Sequence, residues 1–195
     1  MIVGNPNVFA IESEFTKAYE RPSYRALGFF ALHFRNYCYG LRTPEATMLA
    51  CSFDAVNRRI QQRGRHKASF AAESDSGKLA DAVGLAFYAD SEGDSQFYGL
   101  KREKFCDVIS SNDLLWVPDG DEAFDDGSYV LQFDLAEQVR VIAFQRVEGN
   151  VHAPATLRDV WLPSNDFYGV LKDWRDAFEA EWIAAPKIPP PEEAS

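Results

Sequence analysis

The chain has 195 residues, is 46% apolar and 14% aromatic, and carries a net charge of −10. That composition excludes general disorder, and the acidic balance argues against direct nucleic-acid binding, because a phosphate backbone demands a basic face. The longest apolar run, GFFALHF from Gly28, is broken by His33 and falls well short of the roughly 18 residues a membrane helix needs.

The N-terminus carries Glu12 and Glu14 and shows no basic segment followed by an apolar one, so no signal peptide is legible. The segment NVFAIESEF alternates with period two. Phe9, Ile11, Ser13 and Phe15 share one face, and Val8, Ala10, Glu12 and Glu14 share the other, as in a half-buried strand entered through Asn5-Pro6. LGFFALHFRNYCYG reads as a second strand with Phe30, Leu32 and Phe34 inward. Thr43-Pro44-Glu45 has the form of a helix start, with a hydroxyl N-cap, proline at the first position and an acid in the first turn. Leu49, Phe53, Val56 and Ile60 then follow helical spacing to a stop near Gly64.

A second helix is predicted from about Ser76, burying Leu79, Val83 and Phe87. Residues 90–113 are polar, with a short helix expected over Lys104 to Ile109. Ser128 to Asp134 and Gln138 to Val147 read as antiparallel neighbours. A last helix is expected from Ser164 or Asn165 to Ala184, with Phe167, Val170, Leu171, Trp174, Phe178 and Trp182 as its apolar stripe. The pattern predicts an α+β domain over residues 1–185, with a mainly antiparallel sheet, helices packed on one face and a C-terminal helix; the Pro-rich residues 186–195 form a flexible tail.

Charge is unevenly spread. Residues 90–137 hold 13 acids and 3 bases, a net of −10 equal to that of the whole chain. Asp119, Asp121, Glu122, Asp125 and Asp126 fall within eight residues that contain no Lys or Arg. A solvated loop and a steering surface for a cationic partner both fit such a run. Phe124, beside Asp125 and Asp126, is either an anchor that a partner covers or a core side chain at the hairpin entrance.

Signatures of catalysis are not found. G-x-S-x-G, the Walker A sequence and G-x-G-x-x-G do not occur. The chain has no C-x-x-C or H-x-x-x-H spacing, and its three cysteines (Cys38, Cys51, Cys106) suit packed, reduced thiols rather than a disulfide framework. His33 is read as a boundary residue, Cys38 as a buried thiol, and Glu12 with Glu14 as a solvated outer face. Asp119 and Asp121 open like a calcium loop, but its fifth, sixth and twelfth places hold Ala123, Phe124 and Val130 where an oxygen ligand, Gly and Glu are needed. Arg58, Arg59, Arg63, Arg65 and Lys67 read as a solvated helix end. Trp116 and Trp161, each just ahead of a proline, are expected to pin loops to the core. No catalytic residue, metal site or cofactor is assigned.

Two stretches carry a family resemblance. Gly4-Asn5-Pro6 leads into Phe9-Ala10-Ile11-Glu12, and Phe124-Asp125-Asp126-Gly127-Ser128 leads into Val130-Leu131-Gln132-Phe133. With Val139 to Phe144 and Trp161 ahead of the last helix, they resemble the immunity protein 42 family of bacterial polymorphic toxin systems; residues 64–113 offer no match. The resemblance implies a cytoplasmic protein, encoded beside a secreted or contact-delivered toxin, that binds and neutralises it without enzymatic activity or cofactor. It assigns no site residues, so the expected partner surface of Asp119, Asp121, Glu122, Phe124, Asp125 and Asp126 rests on charge alone. A basic nuclease toxin would suit it, with no direct contact to nucleic acid or membrane. The competing reading from another class is a carboxylate-dependent metal-binding enzyme or sensor using Asp119, Asp121 and Asp125.

Overall fold

The structure is a computed structural model, described over residues 1–89, 95–116, 122–147, 149 and 151–189. In chain order the strands and helices are β1 (Ile2–Asn5), β2 (Phe9–Tyr19), β3 (Ala26–Phe34), β4 (Tyr37–Tyr39), β5 (Thr47–Met48), α1 (Leu49–Gln61) and α2 (Ser76–Tyr88). They continue with β6 (Gln96–Phe97), β7 (Leu100–Lys101), α3 (Arg102–Ser111), β8 (Ser128–Leu135), β9 (Gln138–Gln145), β10 (Arg158–Pro163), α4 (Ser164–Ala184) and β11 (Lys187–Ile188).

The α+β class, the mainly antiparallel pairing and the C-terminal helix are as the sequence predicts, and α4 spans the range read from its apolar stripe. The strands divide between two main sheets, which local periodicity does not reveal. The larger has the order β1-β2-β3-β4, with β5 added to β3 and β11 to β2; the smaller has the order β10-β9-β8. Between the sheets lies an aromatic core in which Phe30, Phe53, Trp174 and Phe178 are buried, with α1 and α4 packed into it. The smaller sheet is buried on both faces. Val139, Val141 and Ala143 point into this first core, while Ile142, Phe144, Leu131 and Phe133 point into a second core closed by α2 and α3. Two-sided burial explains why β8 and β9 are near-continuous apolar runs rather than clean alternations.

A buried polar network ties the sheets to the helices. Asp134 on β8 accepts from the Gly64 amide at 2.6 Å and from the Tyr168 hydroxyl at 2.9 Å, and Gln132 Nε2 donates to that hydroxyl at 2.8 Å. Burial, followed by the Asp134 charge, pushes the Tyr168 phenol well above its ordinary pKa and keeps it a donor. His66 is buried too, and desolvation holds its imidazole below the usual range.

Several expectations are corrected. The Thr43-Pro44-Glu45 signal does not start a helix: Glu45 has φ 64°, and α1 begins at Leu49 after Met48. Thr47 and Met48 pair with Gly28 and Leu27, and this strand pairing outcompetes the local capping signal. Arg59, read as a solvated helix end, is fully buried. Trp161 is 44% exposed, because its neighbours Val160 and Leu162 take the inward positions of β10. At the start of the Pro-rich segment, Lys187 and Ile188 pair in parallel with Ala18 and Tyr19.

Candidate functional site

The acidic segment meets the larger sheet at the end of β4. Arg35 (φ 48°) and Asn36 (φ 63°) turn β3 tightly into β4, which sets His33 opposite Cys38 and brings Gly40 against residues 122–127. Gly40 has φ 111°, and a Cβ there would stand 2.9 Å from the Phe30 carbonyl oxygen and 3.0 Å from that of Ala123. Only glycine lets the two segments close this tightly. The Leu41 amide then donates to the Ala123 carbonyl at 2.8 Å.

The carboxylates of the segment have separate fates. Glu122 opens a single 3-10 turn over Glu122–Phe124 and is exposed, as is Asp125. Asp126 is committed to structure. It accepts from the Ser128 amide at 3.0 Å, the Gly40 amide at 3.2 Å and Gln145 Nε2 at 3.2 Å. Phe124, for which an anchor and a core role were equally open, lies in the first core, its ring edge-on to Phe30 at 6.3 Å. Asp119 and Asp121 lie outside the described residues. Of the expected surface, Glu122 and Asp125 are displayed, while Phe124 and Asp126 form the stem that holds them.

Replacing Asp126 by alanine is therefore expected to lower stability by about 1.5–3 kcal/mol, the scale for hydrogen bonds to a charged group. Urea unfolding reads it, and a loss below about 0.5 kcal/mol would mean that water replaces the carboxylate without cost.

Beside this stem, on the outward face of β2, β3 and β4, sits a group that sequence spacing does not bring together. Glu12 was expected to be solvated but is buried. Its Oε2 is 2.8 Å from His33 Nε2, and its Oε1 accepts from Arg42 Nη2 at 2.7 Å. Cys38 completes the group: its sulfur, His33 nitrogen and Glu12 oxygen all lie within 4.8 Å of one another. Burial pushes the Cys38 thiol up to about 11, with Arg42 opposing and Glu12 and Asp126 adding to the rise. By itself the thiol is protonated at neutral pH and is a poor nucleophile. The signal that would have found this group is the strand register, which pairs His33 with Cys38 and Ala10, one pleat from Glu12.

A groove of about 910 Å³ opens elsewhere, between the start of α2 and the loop before β10, with Asp75, Lys78, Asp81, Leu85 and His152 among its lining. Asp75 caps α2 by accepting from the Lys78 amide at 2.9 Å. Asp81 Oδ1 accepts from the His152 backbone amide at 2.9 Å and sits 2.7 Å from its Nδ1. The carboxylate thus holds His152 in place, and the far edge of its imidazole ring lies against Gly77. Among the described residues no helix is long and apolar enough to cross a membrane.

No curated protein matches the chain. Among solved structures, the fold is similar to the crystal structure of CdiI from Burkholderia dolosa AUO158, with a TM-score of 0.55 at 17% identity, covering 91% of this chain and 99% of that one. At that identity the likeness concerns the fold. The family is settled by the sequence model of immunity protein 42, which matches residues 1–177. With nearly the whole chain matched, from β1 through most of α4, the protein belongs to the immunity protein 42 family.

Proposed function

We propose that this immunity protein acts in the cytoplasm by binding a cognate bacterial toxin stoichiometrically, and that the acidic segment around Glu122 and Asp125 forms part of the contact. The observation that carries the surface assignment is the division of labour within the segment. Phe124 and Asp126 are spent on holding the backbone, which leaves Glu122 and Asp125 presented to solvent on a fixed turn. Charges held in place steer a cationic partner without the entropy cost of ordering a loose loop on binding. A basic toxin, such as a nuclease, is the target such a surface suits, with inhibition by covering the toxin rather than by chemistry.

Coexpression with the toxin encoded next to it tests the first part. Growth rescue and a purified one-to-one complex are expected; failure of both would sink the reading. For the surface, Glu122→Lys combined with Asp125→Lys is expected to slow association roughly tenfold at low salt, with a smaller gap at high salt. An unchanged low-salt on-rate in a folded variant would remove this segment from the interface while leaving the immunity function standing.

A further inference from the structure

We propose that Glu12, His33 and Cys38 form a binding site for one zinc-type divalent metal ion that clips together β2, β3 and β4. The three residues offer a carboxylate oxygen, an imidazole nitrogen and a sulfur, each from a different one of three successive antiparallel strands. This donor set, one of each type that zinc prefers, is borderline-soft and suits zinc over magnesium or calcium.

The geometry fits a tetrahedral ion. Bond lengths of about 2.0–2.3 Å imply ligand-to-ligand edges of roughly 3.3–3.8 Å. Glu12 Oε2 and His33 Nε2 are 2.8 Å apart, and no pair in the group exceeds 4.8 Å. Side-chain rotations of about 1 Å at the donor atoms bridge that difference, with the backbones already in register. A metal would replace the direct His33–Glu12 contact with two bonds to itself, and Cys38 would bind as thiolate, its proton going to solvent. A water would complete the coordination, as in zinc sites with three protein ligands.

Charge and surroundings support the assignment. Arg42 holds the second oxygen of Glu12 at 2.7 Å, so the carboxylate is aimed before any ion arrives. With the ion present, the two anionic ligands, Glu12 and Cys38, cancel its charge. The ligand positions also lie on ordered strands rather than on a loop, and Glu12 is buried. Surface carboxylates that collect ions adventitiously do not share these features.

Cobalt(II) serves as the probe, because a cysteine ligand gives a thiolate-to-cobalt band in the near ultraviolet and a tetrahedral site gives intense visible bands. The reduced full-length protein is expected to bind one equivalent of cobalt with both features, zinc displacing it, and zinc is expected to raise Tm. Cys38→Ser is expected to abolish the charge-transfer band, and His33→Gln to weaken binding at least tenfold. The double variant Cys51→Ser with Cys106→Ser, which leaves Cys38 as the sole thiol, is expected to keep the band. Absence of stoichiometric binding at micromolar cobalt and zinc, or loss of the band in the double variant, would overturn the assignment. So would a band that survives Cys38→Ser.

Discussion

Arg59→Met is expected to destabilise the protein by about 3–5 kcal/mol, the cost of removing one partner from a buried charged network. The guanidinium is fully buried at the end of α1. Its Nη1 donates to the Asp113 carbonyl at 3.0 Å and to Gln132 Oε1 at 3.2 Å, and its Nη2 donates to the Leu115 carbonyl at 2.6 Å. Asp113 Oδ1 lies 3.7 Å away, and the Trp116 ring centre is 4.6 Å from the guanidinium carbon. Burial lowers the Arg59 pKa to about 10, against the pull of Asp113, so the group remains charged at neutral pH. Methionine fills much of the same volume, so the loss reports abandoned carbonyls rather than a cavity. Arg59→Lys is expected to recover little, since an ammonium cannot serve three acceptors in the plane that a guanidinium does. Thermal unfolding checks this: for a chain of this size, Tm is expected to fall by roughly 6–20 °C. A loss under about 1 kcal/mol would show that water reaches these carbonyls.

Trp174→Ala is expected to cost about 3–5 kcal/mol, as for other fully buried tryptophans. Its ring stands edge-on to Phe30 at 5.2 Å and packs against Phe178 at 4.9 Å and Phe53 at 6.4 Å. Its Nε1 donates to the buried Ser13 hydroxyl on β2 at 3.0 Å. One side chain therefore joins α4 to α1, β2 and β3 by packing and by a hydrogen bond. Trp174→Phe keeps most of the apolar area and is expected to lose much less; equal losses in the two variants would assign the effect to the hydrogen bond instead. Denaturant titration of both variants with Ser13→Ala closes the comparison as a double-mutant cycle.

Much of this was legible locally. The alternation of Phe9, Ile11, Ser13 and Phe15 places those residues on the core side of β2, and Ser13 meets Trp174 there. The stripe from Phe167 to Trp182 gives α4, because a 21-residue amphipathic helix repeats its signal often enough to outweigh noise. β10 was missed. Six residues, RDVWLP, carry only Val160 and Leu162 as inward positions, too few for a period to be read. The burial of Arg59 is not legible locally, because charge runs sit at surfaces on average and nothing near it in sequence shows the carbonyls of Asp113 and Leu115 waiting across the core. Phe124 admits two roles in the sequence because a side chain among carboxylates faces inward or outward according to what its turn packs on.

The fold class, the principal strands and helices, and the family follow from the order of residues alone, since these depend on short-range periodicity and on residues that recur in order along the chain. The location of the acidic segment follows from it too. Which carboxylates face solvent depends on contacts distant in the chain: Asp126 is drawn inward by the Gly40 and Ser128 amides, and Glu12 by His33 and Arg42. The tertiary structure alone gathers Glu12, His33 and Cys38, whose proximity comes from strand register. Hydrogen bonds between strands set that register, and the spacing of residues along one strand carries no record of its neighbour.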